Sequence, residues 1–198
     1  MSDAQTIAAY NKEADRYAEL AKTDPAQEGL TSFLELVPIG GLVLDLGCGP
    51  GHTAAEMVRR GYLVEALDAS AEMARLAKEL HGIDVQICDF ANFNAVGRFD
   101  GVWASFSLLH AAREDFPFSL ANINRSLKPN GALFLGMKLG AGDERDKLGR
   151  HYIYYSEPEL VSLLADAGFE TLTRTLGQGL GLAGRVEPWI TIIAKRPN

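Results

Sequence analysis

Val43-Leu44-Asp45-Leu46-Gly47-Cys48-Gly49-Pro50-Gly51 is the stretch that decides the fold. With Leu42, its first residues read as a short buried strand, and residues 53–60 read as a helix stopped by Gly61. Between them stand three alternate glycines. Glycine lets the chain turn sharply and lets a ligand approach the backbone, because no Cβ intervenes. The next strand, residues 63–67, ends at Asp68, where a carboxylate can accept hydrogen bonds from ribose hydroxyls. The combination predicts a ligand with an adenosine-like half lying across the carboxyl edge of a sheet. A dinucleotide fingerprint is also formally present in Gly49-Pro50-Gly51-His52-Thr53-Ala54, but it starts two residues late; counted from Gly47, its third position falls on His52.

Outward from this centre, strands and helices alternate. Ser70 caps a helix through Leu80, with Met73, Leu76, Ala77 and Leu80 on its inner face. Residues 84–88 and 99–105 are the third and fourth strands. A helix over 116–127 ends in the turn Lys128-Pro129-Asn130-Gly131, and the fifth strand covers 132–137. Ser156-Glu157-Pro158-Glu159 opens a helix closed by Gly168, and strands at 171–173 and 190–194 follow with no helix between them, which favours an antiparallel hairpin. Upstream, Tyr10, Ala14, Tyr17 and Ala18 share a helix face. Asp24-Pro25 opens a second helix with the stripe Leu30, Phe33, Leu34 and Val37. The rhythm implies a doubly wound α/β sheet in a single domain, 1–198, with 1–40 as a helical cap on a core of 41–198. Residues 138–155 and 177–188 are the long irregular stretches, suspected of function.

Composition narrows the function classes. The chain has 198 residues, 19 basic and 26 acidic, for a formal charge of −7, and 47% are apolar. That length suits one domain with a full core. No run approaches the ~18 apolar residues of a membrane span, and Met1-Ser2-Asp3-Ala4-Gln5 does not read as a signal peptide, so a reducing cytoplasm is expected. Net acidity without a basic, aromatic-interleaved stripe argues against nucleic acid. Cys48 and Cys88 are too few for a disulfide framework and carry no metal-ligand spacing. The four histidines show no metal-ligand spacing, so no metal is expected.

Residues 43–51 resemble the first motif of the class I S-adenosylmethionine-dependent methyltransferases, in the form of their small-molecule branch. The resemblance extends over roughly residues 10–196. Ala69-Ser70-Ala71-Glu72-Met73 is similar to the segment after the family's ribose-binding acid, Cys88-Asp89-Phe90 to its third-strand motif, residues 99–105 to its fourth and residues 127–133 to the turn into its fifth strand. It implies a Rossmann-like seven-stranded sheet of order 3-2-1-4-5-7-6 with strand seven antiparallel, and S-adenosyl-L-methionine as cofactor. The cofactor residues it implies are Asp45, Gly47, Cys48, Gly49, Gly51, Asp68, Ala69, Met73, Asp89, Phe90 and Ser105, with Tyr10 and Tyr17 over the methionine end. Met73 would lie against adenine or serve as core; Asp89 would contact the adenine amino group or cap the helix start; the two tyrosines have core packing as their alternative.

Methyl transfer from a sulfonium needs alignment and exclusion of water more than a dedicated catalytic group, and an oxygen nucleophile usually adds a base. Phe106 and His110, after the fourth strand, are candidate substrate-binding residues; His110 is also the candidate base, or else a residue fixing its loop or lying at the pocket edge. Arg150, His151 and Tyr152 are candidates to line a substrate pocket, the alternative being a loop returning to the sheet. Trp189 closes the pocket or packs in its strand. The expected partner is a small-molecule methyl acceptor, with no nucleic acid and no membrane, on a monomer or homodimer. A nicotinamide-dependent oxidoreductase and a non-catalytic S-adenosylmethionine-binding protein are the rival readings.

Overall fold

A computed structural model describes residues 3–21 and 29–198. In chain order these form α1 (Ala4–Lys12), α2 (Ala14–Ala21), α3 (Leu30–Leu34), β1 (Leu42–Leu46), α4 (His52–Arg59), β2 (Leu63–Asp68), α5 (Ala71–His81), β3 (Val85–Ile87), β4 (Phe99–Ser105), α6 (Phe116–Ser126), β5 (Leu127–Lys138), β6 (Asp143–Arg145), β7 (His151–Ile153), α7 (Glu157–Asp166), β8 (Glu170–Leu180) and β9 (Val186–Lys195). The main sheet has the order β3-β2-β1-β4-β5-β9-β8, with β9 antiparallel to both neighbours. Numbered within that sheet alone, this is 3-2-1-4-5-7-6, as the resemblance implied. None of the described helices is long and apolar enough to cross a membrane.

The sheet is buried on both faces at its centre, so β1 is apolar almost throughout rather than alternating. Leu44 and Leu46 pack toward α6 and α7 with Val102, Leu133 and Leu135. Val43 points to the other face, where Trp103 stacks on Phe134 at 3.6 Å beneath α3. Strand order reverses at β1, with β2 on one side and β4 on the other. Connections leave a crevice at such a switch point, outside the carboxyl ends of the strands.

Four expectations need amendment. Leu80 is 51% exposed and not on the inner face of α5, because the helix turns it past the sheet edge. Lys128-Pro129-Asn130-Gly131 does not precede the fifth strand but interrupts it. Phe99 pairs with Leu127 and Gly101 with Ala132, so the turn bulges out at Asn130 (φ 63°) while the pairing continues. Residues 177–188 are mostly strand, not loop. Gly177 and Gly179 stand there because the Trp189 ring lies across β8: a Cβ on Gly177 would come within 2.2 Å of it. The 138–155 stretch contains the β6–β7 hairpin. The proposed cap at Asp24-Pro25 lies outside the described residues.

Candidate active site

β1 delivers the chain into Gly47 (φ 77°), Gly49 (φ 53°) and Gly51 (φ 81°), a left-handed series that ordinary residues adopt at a cost. Space is as restrictive as conformation. A Cβ on Gly47 would lie 2.3 Å from Ser107 Cβ, and one on Gly51 2.9 Å from Ala77 Cβ. The loop is tied to β2 by the Gly47 and Cys48 amides, which donate to the Leu67 carbonyl at 2.7 and 3.0 Å.

Asp68 ends β2 with both carboxylate oxygens held by backbone amides, Oδ2 by Gly49 at 2.8 Å and Oδ1 by Ser70 at 2.8 Å. Burial raises its pKa against the pull of these amides. Ser70 caps α5 by accepting from the Met73 amide at 3.1 Å and donates its hydroxyl to Asn11 Oδ1 at 2.7 Å. One residue thus starts the helix under the crevice and anchors α1 above it.

The crevice is an open cleft outside the carboxyl ends of β1, β2 and β4. Among the expected cofactor residues, Tyr10, Tyr17, Gly47, Gly49, Asp68, Ala69, Met73, Phe90 and Ser105 line it, as do Phe106 and His110. Asp45 and Cys48 line an adjoining recess with Gly47, Gly49 and Ser105. Gly51 shapes the turn without lining either space. Asp89 also lines neither: its carbonyl accepts from the Asn92 amide at 2.9 Å and closes a single 3₁₀ turn. Sequence reasoning missed Thr6, Ile7, Ser70 and Ser107 as lining residues. Ser70 and Ser107 stood inside segments already singled out, whereas nothing local marks Thr6 and Ile7, which reach the cleft because α1 crosses it.

Two buried polar atoms facing the recess, Asp45 Oδ2 and Ser105 Oγ, have no hydrogen-bond partner among the described residues. Burial, and then the charge of Asp68, pushes the Asp45 carboxyl up to about 8, while the Ala54 amide opposes this. Buried polar atoms left unpaired are uncommon in folded proteins.

At the other end of the cleft, both His110 ring nitrogens are engaged. Nδ1 lies 2.5 Å from the His151 carbonyl, and Nε2 lies 2.8 Å from the Tyr10 hydroxyl. A carbonyl only accepts, so Nδ1 carries the proton and Nε2 accepts from Tyr10. Burial pulls the imidazole pKa down to about 3, partly offset by the His151 carbonyl and reinforced by the charges of Arg150 and Lys138.

Arg150, His151 and Tyr152 do not line the cleft; they stand behind it. Arg150 is 3% exposed and bound by Asp146 at 2.7 Å, and its Nη1 donates to the Tyr10 hydroxyl at 3.3 Å. The His151 ring bonds Asp143 at 2.7 Å, while its amide donates to Thr6 Oγ1 at 2.8 Å. The Tyr152 ring packs on His110 with centroids 4.6 Å apart. The reason is topological: the β6–β7 hairpin meets α1, so residues that reach out in sequence are consumed in holding that helix. Arg145 adds a salt bridge to Asp3, the α1 cap, at 2.7 Å. This guanidinium holds the Asp3 carboxyl well below the usual carboxylate range.

Residues 43–131 match a family described as a methyltransferase domain. An uncharacterized methyltransferase of Staphylococcus carnosus is 29% identical over 134 residues, 67% of this chain and 63% of the relative. Trans-aconitate 2-methyltransferase of Mycobacterium tuberculosis is 46% identical over 68 residues, 31% of this chain and 26% of the relative. The chain thus spans less than two thirds of the length of these relatives. Among solved structures, Burkholderia thailandensis 1,6-didemethyltoxoflavin-N1-methyltransferase, with bound 1,6-didemethyltoxoflavin and S-adenosylhomocysteine, superposes with a TM-score of 0.80 at 21% identity, covering 98% of this chain and 88% of that one.

Proposed function

We propose that this chain is a class I S-adenosylmethionine-dependent methyltransferase that transfers a methyl group to a small-molecule acceptor at the His110 end of the cleft. The observation that carries the reading is the glycine cradle with Asp68 on one side and the unpartnered Asp45 and Ser105 atoms on the other. The Asp45 carboxyl in that recess suits the ammonium of the cofactor's methionine half. Asp68 suits the ribose hydroxyls, and Met73 and Phe90 offer apolar surface to adenine. When bound, the cofactor supplies an electrophilic methyl group on positively charged sulfur. The chain's own part is to bind, align and exclude water, with α1 as the cover.

Thermal unfolding tests this reading directly. S-adenosylhomocysteine at a hundred times its Kd should stabilise the protein by about 2.7 kcal/mol, and NADH should leave the transition unchanged. Stabilisation by NADH alone would reverse the assignment.

Asp45 makes the binding pH-dependent. Its folded pKa lies above the unfolded value, so the free native protein holds a proton there that the unfolded chain releases. The stability this contributes is full below the ordinary carboxylate range and is lost as pH rises through about 8. An ammonium placed in the recess favours the ionised carboxylate, so cofactor binding near pH 7 should release roughly one proton. Calorimetry in phosphate and in Tris measures this number, and a value of zero would remove Asp45 from the ammonium role.

A further inference from the structure

We infer that the outer edge of β8 is a docking surface whose occupant is a second copy of this chain, the two β8 strands pairing antiparallel across a two-fold axis at Leu176. The inference is independent of the methyl-transfer reading.

β8 ends the main sheet: one side of its backbone is bonded to β9, and no described strand pairs with the other. An open edge carries a row of N–H and C=O groups that can template pairing with another chain. Folded proteins blunt such edges by shortness, proline, lysine or bulges. β8 runs eleven residues, Glu170–Leu180, about twice the usual strand, and contains neither proline nor lysine. Its register shift lies between Thr171 and Thr173, at the start of the strand. From Thr173 to Leu180 the pairing with β9 is regular and the other edge is unprotected. Apolar side chains are left in water along it. Leu176 is 57% exposed and Leu180 60%, and Val186, which pairs with Leu180 in β9, is 65% exposed.

The identity of the occupant follows from the order of residues. Read outward from Leu176, β8 is complementary to itself. A two-fold axis there sets Leu176 on Leu176, Thr175 on Gly177, Arg174 on Gln178 and Thr173 on Gly179, and brings Leu180 to Leu172 at the bulge, where pairing ends. Opposed residues of an antiparallel pair share a face, so the Leu176 side chains meet on the face that also holds Ile190. On the other face each threonine comes opposite a glycine that is small because the Trp189 ring lies across it.

Neighbouring axes lose these matches. An axis at Arg174 opposes like charges, one at Thr175 sets Arg174 on Leu176, and one at Gly177 sets Arg174 on Leu180. An axis between residues turns the leucines against the opposite face of the strand. With the axis at Leu176, Arg174 keeps its salt bridge to Glu157 at 2.8 Å and faces an uncharged amide, while Glu170 stays with Lys195 beyond the paired run. A different protein would place no such symmetry on β8; a second copy requires it. Pairing also backs the site already described, because the Trp189 ring stands 6.4 Å from Phe106, which lines the cleft.

Sedimentation equilibrium of the full chain at high micromolar concentration should give twice the 21.5 kDa of one chain. Leu176→Lys places two ammonium groups face to face and should weaken association about 30-fold or more. The substituted residue is exposed and remote from the glycine cradle, so S-adenosylhomocysteine affinity should stay within about twofold of wild type. The register is read by crosslinking in a Cys88→Ser background, where the remaining Cys48 is buried. A short bis-maleimide should join two copies of the Leu176→Cys variant. It should not join two copies of Leu180→Cys, whose substituted positions would lie about 27 Å apart along the paired strands. A monomer at high concentration, which would leave the edge to a different protein, overturns the inference. So does a dimer that Leu176→Lys leaves at wild-type strength, or one that crosslinks at position 180 or fails to crosslink at 176. Should Leu176→Lys fail to fold, the wild-type mass and the two crosslinking variants still decide it.

Discussion

Gly47→Ala is expected to destabilise the fold by about 2–5 kcal/mol and to abolish S-adenosylhomocysteine binding. Two costs add. Gly47 sits at φ 77°, where an L-residue pays about 1–2 kcal/mol. The new methyl would also stand 2.3 Å from Ser107 Cβ, in a place with no slack: the Ser107 hydroxyl is bonded to the Leu46 carbonyl at 2.6 Å, and the Gly47 amide to Leu67. Relief requires the β1 loop and the segment after β4 to part, and both are walls of the cleft. Gly40→Ala separates the two costs. Gly40 has φ 74°, but a methyl group added there would meet nothing within 4 Å, so it should show the conformational cost alone. Urea unfolding and a calorimetric titration of each variant measure the difference. A Gly47→Ala protein as stable as Gly40→Ala, with wild-type affinity, would show that the close approach to Ser107 carries no energetic weight.

Asp68→Ala should weaken S-adenosylhomocysteine binding by about 1–3 kcal/mol, roughly 5- to 150-fold. The carboxylate does more than face the crevice. It accepts from the Gly49 and Ser70 amides, so it also joins the glycine loop to the start of α5. Alanine leaves those two donors without their acceptor and lets the loop drift from the helix it faces. Asp68→Asn keeps one acceptor oxygen and should fall between wild type and alanine in both affinity and stability. Unchanged affinity in Asp68→Ala, measured by calorimetry, would remove Asp68 from the ribose role.

The glycine turn and the acid at the end of β2 were legible in the chain because their causes are local. The β1 run, the glycines after it and the acid at the tip of β2 follow from residues a few positions apart. The Ser70 cap and the Ser156–Glu159 capping box were equally readable, since each closes within three residues. Where the reading failed, the cause was a distant partner. Gly177 and Gly179 look like loop residues until Trp189 is laid across them. Arg150 looks like a residue lining a substrate pocket until Asp146 and Tyr10 occupy it.

The sequence by itself determined the layered α/β architecture and the sharp glycine turn after β1, which rest on periodicity and short-range geometry, while the strand order came from the resemblance of its motifs to a known family. Tertiary structure alone decided which side chains meet at the His110 end of the cleft. Tyr10 and His110 are 100 residues apart in the chain, and each carries an ordinary side chain on an ordinary helix or turn. Only the seating of α1 over the carboxyl end of β4 brings the hydroxyl to Nε2, and only the β6–β7 hairpin behind them supplies the carbonyl and the guanidinium that set their roles.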